Sequence, residues 1–164
     1  MDTYETIITK RDTRSYSGRP LSDESLRRIL QAGRMAGSAK NAQPCRFIVI
    51  RNAEKKQEVA KCGDFAQQVP SAAAAIAVVI PNDGRELDAG RAAQNMMLAA
   101  WSEGIASCPV TMHDVDCARR ALRLPEDYRV SIVVALGYPP AEGVRSGGGS
   151  KRLPLEEIVH QETW

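Results

Sequence analysis

Residues 34–47 read Arg-Met-Ala-Gly-Ser-Ala-Lys-Asn-Ala-Gln-Pro-Cys-Arg-Phe, a run of small and amide-bearing side chains set between two regular segments. Upstream, Ser22 followed by Asp23 and Glu24 marks a helix start with acids in its first turn, and Leu26, Ile29, Leu30 and Gly33 recur as one helical face. Downstream, Phe47-Ile48-Val49-Ile50 is an apolar run bounded by Pro44 and Asn52, which predicts a strand. The stretch is therefore a helix-to-strand connection, and its Gly, Ser, Asn and Gln suit close approach to a flat polar ligand.

Outward from this loop, helices and short strands alternate. Tyr4, Ile7 and Ile8 have helical spacing behind Asp2 or Thr3 as cap, and Asn52 caps a short helix through Cys62. Residues 72–80 form an apolar run closed by Pro81-Asn82-Asp83-Gly84, short enough to predict a central strand despite its alanines. From Asp88, the positions Ala89, Ala92, Ala93, Met96, Met97, Ala100 and Trp101 define the clearest helix, ended by Gly104. Residues 105–111 predict a short strand and turn, in which Pro109 suits an edge or an irregular end. Asp114 caps a helix that Pro125 stops, and residues 130–136 give the strongest strand. Residues 141–150 read as a Gly- and Ser-rich loop before order returns at Leu153-Pro154-Leu155. The expected architecture is α+β with one central sheet, part of it open to parallel pairing.

A chain of 164 residues fits one domain spanning residues 1–164. With 22 Lys and Arg against 20 Asp and Glu, the net charge of +2 calls for neither nucleic acid nor an anionic membrane. No apolar run approaches the roughly 18 residues of a membrane span, and the N-terminus lacks a basic segment followed by an apolar one. Cys45, Cys62, Cys108 and Cys117 form no Cys-x-x-Cys pair and, with His113 and His160, no zinc spacing, so reduced thiols in a cytoplasmic protein are the expectation. The glycine patterns of dinucleotide and nucleoside-triphosphate loops and the Gly-x-Ser-x-Gly nucleophile turn are absent. Lys10, Arg11 and Arg14 place three cations within five residues, a cluster suited to an anion.

Four stretches, in this order, resemble the nitroreductase family of flavin-dependent proteins over nearly the whole chain. Lys10-Arg11-Asp12-Thr13-Arg14-Ser15-Tyr16 is similar to the family's Arg-Arg-Ser-x-Arg-x-Phe, and residues 37–45 are similar to its Pro-Ser-x-x-Asn-x-Gln-Pro-Trp. The helix from Asp88 with Glu103-Gly104-Ile105-Ala106-Ser107-Cys108, and the segment Ser150-Lys151-Arg152-Leu153-Pro154-Leu155-Glu156-Glu157, complete the match. The resemblance implies a central, mostly antiparallel sheet flanked by helices, a homodimer with FMN at the subunit interface, and a C-terminal extension onto the partner.

Carried over by position, Lys10 and Arg152, helped by Lys151, would hold the FMN phosphate. Arg14 would lie beside the pyrimidine edge of the flavin and raise its reduction potential, with Arg11 and Asp12 on the same wall. Ser38, Ala39 and Asn41 would contact the other subunit's cofactor, Gln67 or Gln68 would read the pyrimidine edge, and the Pro109-Val110-Thr111 turn would offer a backbone N–H near N5. The implied activity is ping-pong oxidation of NADH or NADPH with a nitroaromatic, quinone or flavin as acceptor, the flavin carrying the chemistry. The alternative is a flavin carrier or regulatory protein without turnover. Three departures bear on that choice: Gly37 replaces Pro, Asp12 replaces Ser and Cys45 replaces Trp, while little chain at 81–88 and 111–115 is left to build a lid.

Overall fold

The computed structural model describes residues 2–142 and 152–164. In chain order the elements are α1 (Thr3–Thr9), α2 (Asp23–Arg34), β1 (Arg46–Ile50), α3 (Ala53–Ala60), β2 (Ala74–Pro81), α4 (Glu86–Ser102), β3 (Ala106–Val110), α5 (Val115–Ala121), β4 (Tyr128–Gly137) and α6 (Leu155–Ile158). Four of the helices start where a local side chain satisfies an orphan amide. Asp2 accepts from Glu5 N, Ser22 from Ser25 N, Asn52 from Lys55 N and Asp114 from Cys117 N. At α1 the choice between Asp2 and Thr3 falls to Asp2, because Glu5 reaches back to the Asp2 amide and completes a capping box.

The sheet has the order β1-β2-β4-β3, and all three pairings are antiparallel. The only parallel contact among the described residues is an isolated bridge between Asp12 and Ser107. Alternation along β2 explains its alanines. Ala75, Ala77 and Val79 face the layer of α3 and α5 with Val59 and Ala118, while Ile76, Val78 and Ile80 face α2 and α4 with Ile29 and Met96. The small residues on one face let α3 and α5 approach, and the branched ones fill the other. Gly33 lies where α2 crosses α4: a Cβ there would stand 2.8 Å from Met96 Cγ, inside van der Waals contact. The sheet is thus sandwiched between helix layers.

Two expectations change. Cys62 and Cys117 are joined by a disulfide that links the end of α3 to α5, with Cα atoms 5.4 Å apart. Their 55-residue separation carries no local motif, so only the approach of the two helices makes the bond possible. Cys45 and Cys108 are free thiols, as expected of all four. Tyr4, Ile7 and Ile8, read from their spacing as an apolar face of α1, are instead exposed, and Thr6 is the buried residue of that helix. Residues 152–164 are likewise exposed throughout, with Leu153, Leu155, Ile158 and Trp164 uncovered. Most of the Gly- and Ser-rich loop, together with Lys151, lies outside the described residues.

Candidate functional site

The cations after α1 run in extended form along the outer edge of β3. The Thr13 amide donates to the Ser107 carbonyl at 2.9 Å, and Thr13 and Ser107 are both buried. Side chains alternate on an extended segment, so seating Thr13 inward leaves Asp12 and Arg14 exposed. Further along, the Ser17 amide donates to the Tyr138 carbonyl at 2.9 Å and the Tyr16 hydroxyl to the Ala135 carbonyl at 3.3 Å. The Tyr16 ring lies against Gly137, where a Cβ would stand 2.8 Å from the ring, so glycine is required for this seam. Burial first, then the nearby Cys108 and Asp12, push the Tyr16 phenol far above its ordinary pKa; it stays protonated at neutral pH.

The cations do not share one task. The Lys10 ammonium pairs with the Asp12 carboxylate and also donates to Met97 Sδ at 3.5 Å. Asp12 is therefore neutralised by Lys10, whereas Arg11 turns back onto the end of α1, donating to the Ile8 and Lys10 carbonyls at 2.8 Å each. Unpaired carbonyls at a helix C-terminus attract a cation, which accounts for that placement. Arg14 is exposed beside Cys108. Burial raises the Cys108 pKa, with the Arg14 charge pulling the other way, and the net shift is upward.

The amide that reaches this edge is Gln68, which is buried and donates to Cys108 Sγ at 3.5 Å. Gln67 is exposed and is used within its own turn, donating to the Asp64 carbonyl at 2.9 Å. A thiol is a weak acceptor, so the Gln68 amide is poised for a stronger one. On β3, Ser107 turns its carbonyl outward to Thr13, and the ladder's alternation turns Pro109 the same way while Val110 faces β4. Pro109 has no N–H, which suits its edge position.

The loop at 37–45 lies at the other edge of the sheet, against β1. Its 3-10 turn, Ala39–Asn41, has Lys40 and Asn41 at positive φ, as is Gln43 just beyond it, and the Ser38 hydroxyl accepts from the Gln43 amide at 2.9 Å. Beside it is a cavity of about 190 Å³ lined by Gly37, Ser38, Cys45, Phe47, Asp88 and other residues of the loop and α4. Burial first, then the Asp88 charge, raise the Cys45 pKa, so this thiol too is protonated at neutral pH. A Cβ on Gly37 would stand 2.8 Å from Arg91 Nη2, the far end of a flexible side chain that can move aside, so packing does not explain glycine in place of the motif's proline.

One chain thus brings together Lys10, Asp12, Arg14, Gln68 and Pro109 at the β3 edge, and it keeps Ser38, Ala39 and Asn41 at the β1 edge. Arg152 is exposed in the C-terminal segment. Residue-type reasoning missed Thr13 and Ser107, the anchors of the cation segment. A period of two within residues 11–14, with the uncharged Thr13 as its inward member, was the signal available. The donor set fits FMN chemically: cations for a phosphate, a buried amide with only a thiol as acceptor, and an outward backbone edge.

Comparison with known proteins shows the family and the fold. The model of the Nitroreductase family matches residues 7–82 and 65–138. A relative from Archaeoglobus fulgidus, provisionally assigned as an NADH dehydrogenase/NAD(P)H nitroreductase, is 36% identical over 169 residues, covering 96% of this chain and 96% of its own. A provisionally assigned nitroreductase from Desulfovibrio desulfuricans, solved in complex with FMN, superposes with a TM-score of 0.84 at 30% identity, covering 100% of this chain and 99% of that one. The NADPH:FMN oxidoreductase of Vibrio harveyi complexed with NAD+ gives a TM-score of 0.86 at 27% identity, covering 99% of this chain and 77% of that one. The four-stranded antiparallel sheet, its flanking helices and the extent of these matches lead to one conclusion: the chain belongs to the nitroreductase family.

Proposed function

We propose that this protein is an FMN-dependent NAD(P)H oxidoreductase whose site is completed by a second copy of the chain. The observation that carries the reading is the seam between residues 12–13 and Ser107, which holds Arg14 and the Lys10–Asp12 pair beside Gln68 and the outward edge of β3. When bound, FMN supplies the redox chemistry, taking hydride from NADH or NADPH and passing electrons to a nitroaromatic, quinone or flavin acceptor.

The chain's own residues bind and tune. Arg152, assisted by Lys10 and Lys151, holds the phosphate, and Arg14 with Gln68 reads the pyrimidine edge, where a cation favours the more negative reduced form. The backbone at 109–111 supplies the polar edge near N5. Tyr16, Cys45 and Cys108 all have raised pKa values, so none is a base or nucleophile at neutral pH. Ser38, Ala39 and Asn41, remote from Arg14 within one chain, serve the partner's cofactor. Support for the dimer is the uncovered apolar surface of Tyr4, Ile7 and Ile8 on α1 and of Leu153, Leu155 and Ile158 in the C-terminal segment.

The visible spectrum of the purified protein tests the reading. A yellow protein that bleaches with NADH or NADPH and recovers with a quinone or nitro compound supports it. Bound flavin indifferent to both nucleotides would favour a carrier, and a protein that cannot be loaded with FMN would overturn both.

A further inference from the structure

We infer that the Cys62–Cys117 disulfide is a redox-sensitive clasp that positions Gln68 in the cofactor site, an inference that rests on the FMN reading above. The bond joins two segments that both lead to the site. From Cys62 the chain runs through residues 63–67 to Gln68, whose amide meets Cys108 on β3. From Cys117 it runs back through Asp114 and His113 to Thr111, which directly follows β3. The disulfide is the only covalent tie between the two segments among the described residues.

Non-covalent ties join the same elements: Lys55 Nζ on α3 donates to the Ala121 carbonyl at 2.8 Å, and Val59, Ala66, Val69, Met112 and Ala118 share one buried cluster. The Asp114 amide donates to the Cys62 carbonyl at 3.0 Å, and the Asp64 amide donates to His113 Nδ1 at 3.1 Å. Phe65 meets His113 edge-on at 5.9 Å between centroids, but Phe65 is 72% exposed and the Asp64–His113 contact is at the surface. Gly63 is pressed onto the Thr111 carbonyl, with only 2.8 Å between that oxygen and the position a Cβ would take. Such close backbone approach at residues 63 and 111 leaves little slack, so a change at Cys62 is passed to the turn carrying Gln68. Residues 61–73 contain no strand or α-helix of their own, and outside contacts set their position.

The two sulfurs differ in access. Cys62 is 1% exposed, whereas Cys117 is only partly buried. An external dithiol therefore attacks Cys117 Sγ. Its thiolate forms a mixed disulfide with Cys117, and Cys62 leaves as a thiolate that takes up a proton. The dithiol's second sulfur then displaces Cys117, which is protonated in turn; the dithiol leaves as a cyclic disulfide and the protein holds two thiols. Two electrons and two protons have passed to the protein, and the flavin takes no part.

The experiment compares FMN binding to apoprotein, by fluorescence quenching, before and after dithiothreitol, with free thiols counted in parallel. The expected result is two free thiols before reduction and four after, with FMN affinity falling about three- to tenfold as one buried polar contact is lost from register. The Cys62→Ser/Cys117→Ser double variant should show the weakened affinity without reductant and no response to it. Gln68→Ala should bind FMN more weakly and also lose the response, which a bond that only stabilises the fold would not produce. Four free thiols at the outset would overturn the inference, as would a reduced wild type with unchanged FMN affinity or a Gln68→Ala variant that still responds. If the double variant does not fold, the wild-type comparison with and without dithiol decides alone. Failure of FMN to bind in either redox state would instead count against the FMN reading itself.

Discussion

Thr13 and Ser107 meet across the outer edge of β3, where the Thr13 amide donates to the Ser107 carbonyl at 2.9 Å while both side-chain hydroxyls are buried with no protein hydrogen-bond partner. The backbone bond anchors the segment, and the hydroxyls add desolvation without a compensating bond. Thr13→Val should therefore leave unfolding free energy within about 1 kcal/mol of wild type, or raise it, in urea titration. Loss of more than that would mean the hydroxyl is bonded in solution.

Asp12 stands where the family motif has serine, and its carboxylate is paired with Lys10. Asp12→Ser should release the Lys10 ammonium and remove a negative charge near the flavin. Both changes favour the reduced cofactor, so the midpoint potential should rise by about 10–40 mV. Spectroelectrochemistry on the FMN-loaded protein reads this directly, and a fall in potential would place Asp12 away from the ring.

Arg152 is exposed and is assigned to the phosphate. Arg152→Ala should weaken FMN binding by about 1.5–3 kcal/mol if the contact is charge-assisted and shielded by a second copy. Riboflavin, which lacks the phosphate, should bind wild type and variant alike. An unchanged FMN dissociation constant would remove Arg152 from the site.

Glu86, at the start of α4, accepts from the Ser131 hydroxyl and pairs with Arg129 on β4. Burial alone would raise its pKa, but the Ser131 and Arg129 bonds outweigh it and the net shift is below the ordinary carboxylate value. A depressed carboxylate contributes stability that is complete above its unfolded pKa, about 4.3, and is lost as pH falls through the lower folded value. Thermal unfolding of wild type should therefore decline more steeply below pH 4.5 than that of Glu86→Gln. The two proteins should run in parallel from pH 6 to 8.

Helix starts were legible because they are local. Asp2, Ser22, Asn52 and Asp114 each bond an amide three residues ahead, and no distant part of the chain enters that choice. The strands were legible for the same kind of reason, apolar runs bounded by turn residues. Pro109 suited β3 to an edge or an irregular end because a residue without an N–H is costly inside a ladder. The order of four motifs carried the family.

Strand order, pairing direction and the partners of charged groups depend on which segments meet in space. Arg11 and Lys10 are adjacent in sequence, yet one closes a helix end and the other pairs with Asp12. Gln67 and Gln68 are equivalent by position, and only the seating of residues 61–73 against β3 turns Gln68 inward. The disulfide of Cys62 and Cys117 needs two helix ends brought within 5.4 Å between Cα atoms. The opening loop shows the same division. Its Gly, Ser and Asn marked a helix-to-strand turn, but only the β1-β2-β4-β3 order sets it at the opposite edge from Arg14, because a sheet four strands wide separates the two. Local hydrogen bonding and hydrophobic period are written in neighbouring residues, whereas the placement of the candidate residues at two edges of the sheet is decided by long-range packing that no single stretch contains.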